Sequence, residues 1–127
     1  MTINSKSHIL VVDDSRAMRS IVRKLLTQLG YTDVDEAPDG AAALEKMNEK
    51  LFDLVISDWN MDPMNGQALL ERVRANKKFE NLPFIMMTAQ SDPDKIIDAK
   101  YAGVSSFISK PFSAEALQAK ISKINAD

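Results

Sequence analysis

Along most of its length the chain alternates between short runs of consecutive apolar residues and longer stretches in which apolar residues recur every three or four positions. Residues 8–12, HILVV, are a continuous run rich in β-branched side chains; Met18, Ile21, Val22, Leu25 and Leu29 then fall at helical spacing before Gly30. The first pattern predicts a buried strand, the second an amphipathic helix closed by a glycine. The pair recurs down the chain. Further strands are predicted over 33–37, 54–57, 83–88 and 104–109, and helices over 39–50, 67–75, 93–101 and 114–125.

Five strands alternating with five helices predict an α/β fold in which a five-stranded parallel sheet carries helices on both faces through right-handed crossovers. The second strand, VDEA, contains two acids and suits an edge, whereas the first, third, fourth and fifth read as buried on both sides. The flavodoxin-like order 2-1-3-4-5 satisfies both conditions. No long linker or low-complexity tract interrupts the pattern, so one domain is expected over residues 1–127.

Composition narrows the function. A chain of 127 residues buries about two thirds of its unfolded surface and needs no disulfide or structural metal to fold. It has no cysteine, which excludes thiol catalysis, disulfides and cysteine zinc sites. Sixteen basic and eighteen acidic residues leave no broad basic field for nucleic acid. The apolar runs are too short for a signal peptide or a membrane span. A cytoplasmic protein is expected, with neither a nucleic acid nor a membrane as partner.

Open parallel sheets bind ligands beyond the carboxyl ends of their strands. Asp13 and Asp14 follow the first strand, Asp58 and Asn60 the third, Thr88 ends the fourth, and Lys110 with Pro111 follows the fifth. Each residue alone has an ordinary reading: an N-cap for one of the paired acids, the start of a polar loop, a strand position, a surface charge. Together they are a cluster. Two unit charges about 4 Å apart repel by roughly 4 kcal/mol at an effective dielectric near 20, so three gathered carboxylates require a cation. An all-oxygen ligand set with room for water and phosphoryl oxygens suits Mg²⁺, with Mn²⁺ as a substitute. A carboxylate beside such an ion can attack phosphorus to give an aspartyl phosphate. Asp58, where the apolar run of DLVISDWN meets an acid, is the expected acceptor, with Lys110 and Thr88 placed for the other phosphoryl oxygens.

With DWNM at 58–61 and KPF at 110–112, this constellation resembles the receiver domain of two-component response regulators, of the CheY-like single-domain chemotaxis type, over essentially the whole chain. The resemblance implies phosphoryl transfer from a histidine kinase phosphohistidine to Asp58, in a signalling receiver that catalyses its own phosphorylation and dephosphorylation. It implies Mg²⁺ bound by the carboxylates of Asp14 and Asp58 and the backbone carbonyl of Asn60, with Asp13 acting through coordinated water. Lys110 would pair with the phosphoryl group, the Thr88 hydroxyl would move toward it, and the Lys110–Pro111 peptide would be cis. A switch surface on the fourth helix, fifth strand and fifth helix would include Lys95, Ile97, Tyr101, Phe107 and Lys120. Its reader would be a downstream protein such as a flagellar motor switch protein, and the receiver would be a monomer.

Two departures qualify the resemblance. Phe107 stands where chemotaxis regulators usually carry tyrosine, so no hydroxyl can take part in switching there. The proline common four residues after the acceptor is replaced by Asp62, with Pro63 next, which implies an altered loop, although Gly66 keeps its usual spacing. Asn60 and Gln90 flank the approach of a hydrolytic water and are expected to tune the lifetime of the phosphoryl group. A haloacid-dehalogenase-type phosphatase would use similar residues but needs an acid two positions after its nucleophile, where this chain has Asn60. An FMN module would place its phosphate against Asp13 and Asp14, which repel it. A phosphate sink or a phosphorelay receiver outside chemotaxis would use the same site and stays open.

Overall fold

Five strands form one parallel sheet: β1 (Ile9–Val12), β2 (Val34–Ala37), β3 (Leu54–Asp58), β4 (Phe84–Thr88) and β5 (Ser106–Ser109). Their spatial order is β2-β1-β3-β4-β5, with the acidic strand at an edge as its composition predicts. Among the described residues four helices accompany them: α1 (Arg16–Gln28), α2 (Gly40–Glu49), α3 (Gly66–Ala75) and α4 (Ala114–Ala126). The computed structural model describes residues 2–88 and 103–126. The helix expected over 93–101 lies outside the described residues, and with it Gln90, Lys95, Ile97 and Tyr101.

The strand period of two divides the core into two layers. Leu10, Val12, Val55, Phe84 and Met86 point to one face and pack with Ala43 and Met47 of α2 and Leu69, Leu70 and Val73 of α3. Ile9, Val11, Leu54, Ile56, Ile85 and Met87 point to the other and pack with Val22 and Leu26 of α1 and Leu117 and Ile121 of α4. Each of these large side chains contributes about 1.5–3 kcal/mol by leaving water, so the three central strands must be apolar on both faces. β1, β3 and β4 are buried at every position. The fifth strand corrects the expectation of burial on both sides. In this order it is the second edge; Ile108 is buried, Ser106 and Phe107 are half-buried and Ser109 is exposed.

Side-chain caps start the first three helices. Ser15, Asp39 and Asn65 accept from the backbone N–H of Met18, Ala42 and Ala68, three residues on in each case. The ordinary reading of Asp13 or Asp14 as the cap of the first helix is therefore wrong. The Asp13 carboxylate is turned back to accept the Ser15 N–H at 2.9 Å, which leaves Ser15 to cap α1.

Parallel register brings the carboxyl ends of the strands level. Val12 pairs with Ser57, Asp58 with Met87 and Thr88 with Ser109. One residue beyond each of β1 and β5 the chain therefore delivers Asp13 and Lys110 to the edge where Asp58 and Thr88 end β3 and β4.

Candidate functional site

At that edge, one carboxylate oxygen from each of Asp13, Asp14 and Asp58 lies within 4.8 Å of the others. Asp13 is 1% exposed, Asp58 is buried at the tip of the central strand, and Asp14 is open to solvent. Lys110 reaches into the group, with Nζ 3.0 Å from Asp13 Oδ2 and 3.1 Å from Asp58 Oδ1. It is carried there by the sheet, because its backbone N–H donates to the Thr88 carbonyl at 2.6 Å and continues the ladder one residue past β5. Asp58 Oδ1 also accepts the Trp59 N–H at 2.9 Å, which fixes the orientation of the carboxylate.

The electrostatics follow from this packing. Burial raises the Asp58 pKa and the negative charge of Asp13 adds to that; the Lys110 hydrogen bond and charge and the Trp59 N–H oppose it, and the net direction is upward. For Lys110, burial lowers the pKa, but hydrogen bonds and charge from Asp13 and Asp58 prevail and raise it. The cluster thus holds more negative charge than its one lysine neutralises.

The folded state consequently binds the Asp58 proton more tightly than the unfolded chain does. Ionised Asp58 weakens the fold above its raised pKa, and this penalty fades as pH falls through that pKa to below about 3.9. In metal-free buffer at neutral pH, Asp58→Asn is expected to melt above the wild type, with the gap closing in acid. Thermal unfolding of both proteins across the pH range checks this; a gap of constant size would sink it.

The donor set fits a hard divalent cation. It offers only carboxylate oxygens, two from buried residues and one facing solvent, so an ion held there keeps room for water and a further oxygen ligand.

Residues 9–122 match the response regulator receiver domain family. The chain belongs to that family. It is 46% identical over 116 residues to the chemotaxis protein CheY of Pseudomonas aeruginosa PAO1, covering 91% of this chain and 94% of the relative. The structure of chemotaxis protein CheY4 of Vibrio cholerae superimposes with a TM-score of 0.86 at 34% identity, over 93% of this chain and 98% of that one. The receiver domain of sensor histidine kinase PA1611 from Pseudomonas aeruginosa PAO1, whose structure has a magnesium ion coordinated in its active-site cleft, shares the fold. Its TM-score is 0.85 at 23% identity, over 95% of this chain and 98% of that one.

In this receiver the remaining sequence candidates are placed as follows. Thr88 is buried at the end of β4, next to Lys110 through the backbone bond between them. Asn60 is exposed on the loop two residues past Asp58. That loop contains a cis Asp62–Pro63 peptide and docks on the start of α2, where Gly40 N–H donates to the Met64 carbonyl at 3.1 Å. The Lys110–Pro111 peptide is cis, as the resemblance implies. Phe107 is half-buried, and Lys120 Nζ lies 5.8 Å from its ring centroid, so these two switch-surface candidates meet across β5 and α4. No helix among the described residues is long and apolar enough to cross a membrane.

Arg19 and Glu36, which support the pocket, were not singled out by the sequence, and for Gly66 only the spacing was. Arg19 of α1 donates to the Asp13 carbonyl and to Glu36 of β2, and Gly66 lies against the backbone of Asp58. The available signal was the pair Arg19 and Arg23, one helical turn apart and followed by an acidic edge strand.

Proposed function

We propose that this receiver takes a phosphoryl group onto Asp58 from a histidine kinase phosphohistidine and transmits the signal by protein contact in chemotaxis. The observation that carries the proposal is the meeting of Asp13, Asp14, Asp58 and Lys110 at the tip of the central strand. The names of its CheY relatives support the pathway. Asp14, Asp58 and the Asn60 carbonyl would hold Mg²⁺, with Asp13 acting through bound water, and the ion would supply positive charge against the carboxylates and the phosphoryl oxygens.

Everything else falls to the chain itself. Asp58 attacks phosphorus, its carboxylate aimed by the Trp59 N–H, as the P–N bond of the phosphohistidine breaks and its imidazole leaves with the kinase. Lys110 transfers its ammonium from the free carboxylate to an oxygen of the new phosphoryl group, and the Thr88 hydroxyl donates to another. The added charge, about −1.5 to −2, draws on the ends of β4 and β5 together. Phe107 and Lys120 lie on β5 and α4, so the pull reaches a surface that a downstream protein can read, such as a flagellar motor switch protein. Exposed Asn60 beside Asp58 tunes access of the hydrolytic water and hence the signal lifetime. The protein works as a monomeric single domain in the cytoplasm.

Intact mass after incubation with acetyl phosphate tests the chemistry. One phosphoryl adduct is expected in the wild type with Mg²⁺, and none without the metal or in Asp58→Asn. A wild type that remains unmodified even at early sampling times would overturn the proposal.

A further inference from the structure

Asp13 is held from behind by a guanidinium. Arg19 donates from Nη1 to the Asp13 backbone carbonyl at 2.6 Å and from Nε to Glu36 Oε1 at 3.0 Å. The other Glu36 oxygen accepts from Arg23 Nε at 2.8 Å. The Arg19 side chain is only 15% exposed, so a largely desolvated bridge runs from β2 through α1 to the residue where β1 enters the acidic loop. Burial raises the Glu36 pKa, but hydrogen bonds and charge from Arg23 and Arg19 outweigh it and lower the pKa overall, which keeps the anchor ionised.

We propose that Arg19, anchored by Glu36, is a positioning residue that presets the acidic pocket for Mg²⁺ by fixing the main chain of Asp13. This rests on the reading of the pocket as a Mg²⁺ site. The Asp13 carboxylate is tied by the Ser15 N–H and by Lys110, and the Asp13 N–H donates to the Ala37 carbonyl at 3.1 Å, which leaves the peptide on the carbonyl side of Asp13 for Arg19 to hold. Repulsion from Asp14 and Asp58 pushes that carboxylate away, and rotation of the Asp13 peptide would let it go. A short charge-assisted bond to the Asp13 carbonyl resists the rotation. It also sets a positive charge behind the cluster without occupying any carboxylate oxygen that a metal needs.

Arginine is required because two acceptors on different strands must be spanned at once. Its planar fork does this, whereas a lysine ammonium is a single point charge. Arg23 supplies an internal control. It binds the same Glu36 carboxylate but stands one helical turn, about 6 Å, further from the pocket.

The test is a Mg²⁺ titration followed by the fluorescence of Trp59, which is buried and bonded to Asp58, in the full chain. Wild type, Arg19→Met, Arg19→Lys and Arg23→Met are compared, with thermal unfolding of each with and without Mg²⁺. Partners that orient metal ligands typically change affinity 10- to 100-fold, so Arg19→Met is expected to weaken Mg²⁺ binding at least about tenfold. Arg19→Lys should fall between, and Arg23→Met should lose stability while keeping the wild-type affinity. If Arg19→Met does not fold, Glu36→Gln loosens the same guanidinium and takes its place. Equal affinity in wild type and Arg19→Met, or an equal loss in Arg23→Met, would overturn the inference and leave the Mg²⁺ site standing. A wild type whose fluorescence and melting both ignore Mg²⁺ would overturn the two together.

Discussion

Lys110→Met is expected to lose about 3 kcal/mol of stability in metal-free buffer and to recover most of it as Mg²⁺ is added. The ammonium lies within 3.1 Å of carboxylate oxygens on both Asp13 and Asp58 and is 19% exposed. Removing one partner of a buried ion pair costs about 3–5 kcal/mol, because the remaining charge stays desolvated. The lower end applies here, since solvent reaches the lysine and Asp14 is open to water. In the proposed site Lys110 and the ion both draw on the Asp58 carboxylate, so the variant is expected to bind Mg²⁺ more tightly and the stability gap to narrow with ion concentration. Bound ion at a hundredfold excess over Kd adds about 2.7 kcal/mol, enough to close most of it.

Phosphorylation moves the other way. Loss of one preorganised charge at developing oxyanions costs roughly 10²- to 10³-fold in rate, and Mg²⁺ does not restore it. Urea denaturation of both proteins with and without Mg²⁺, together with phosphorylation rates from acetyl phosphate, reads both effects. A stability gap that ignores Mg²⁺ would show that Lys110 does not share its partners with a metal. The contrast with Asp58→Asn is one of sign: in the same metal-free buffer, deleting the cation weakens the fold and deleting an anion strengthens it.

Gly66→Ala is expected to be nearly as damaging, through shape instead of charge. Gly66 opens α3, and its N–H donates to the Trp59 carbonyl at 2.8 Å. A Cβ there would overlap the Asp58 carbonyl oxygen and lie 3.1 Å from the Asp58 carbonyl carbon and 2.9 Å from Met86 Sδ. The methionine can move aside. The strand tip cannot, because Asp58 is paired in register with Met87 in the middle of the sheet. Either α3 lifts or Asp58 shifts. Overpacking of this kind costs up to about 3 kcal/mol, and displacement of a reacting group by about 1 Å can slow its reaction roughly a hundredfold.

Gly40→Ala is the matching control at the start of α2. The three atoms nearest its Cβ would all belong to the Met64 side chain, at 2.7–3.0 Å, and an unbranched methionine can repack. That variant is expected to lose about 1 kcal/mol and to phosphorylate normally. Equal losses in the two variants would remove the close approach to Asp58 as the explanation.

What could be read without coordinates was whatever a repeating local pattern carries. Apolar runs alternating with helical periodicity set five strand ends along the chain, and the two acids of VDEA assigned one strand to an edge, from which the sheet order and the meeting of Asp13, Asp58, Thr88 and Lys110 both follow. The same logic misjudged β5, because an apolar run shows that a strand is covered without showing how many neighbours cover it. Its ordinary reading also put the cap of α1 on one of the paired acids; the cap is Ser15, because Lys110, 97 residues from Asp13, helps hold that carboxylate in the pocket.

Other features depended on the tertiary structure alone. Arg19 and Glu36 are 17 residues apart and meet because the crossover lays α1 beside β2. The spacing of Gly66 was visible, but its reason, a helix start pressed against the Asp58 carbonyl, exists only once α3 has packed onto the sheet. Residue type and periodicity act over a few neighbouring positions and determined the elements and their chemistry. Contacts among distant segments depend on how those elements dock, and they decided which side chains hold the site in place.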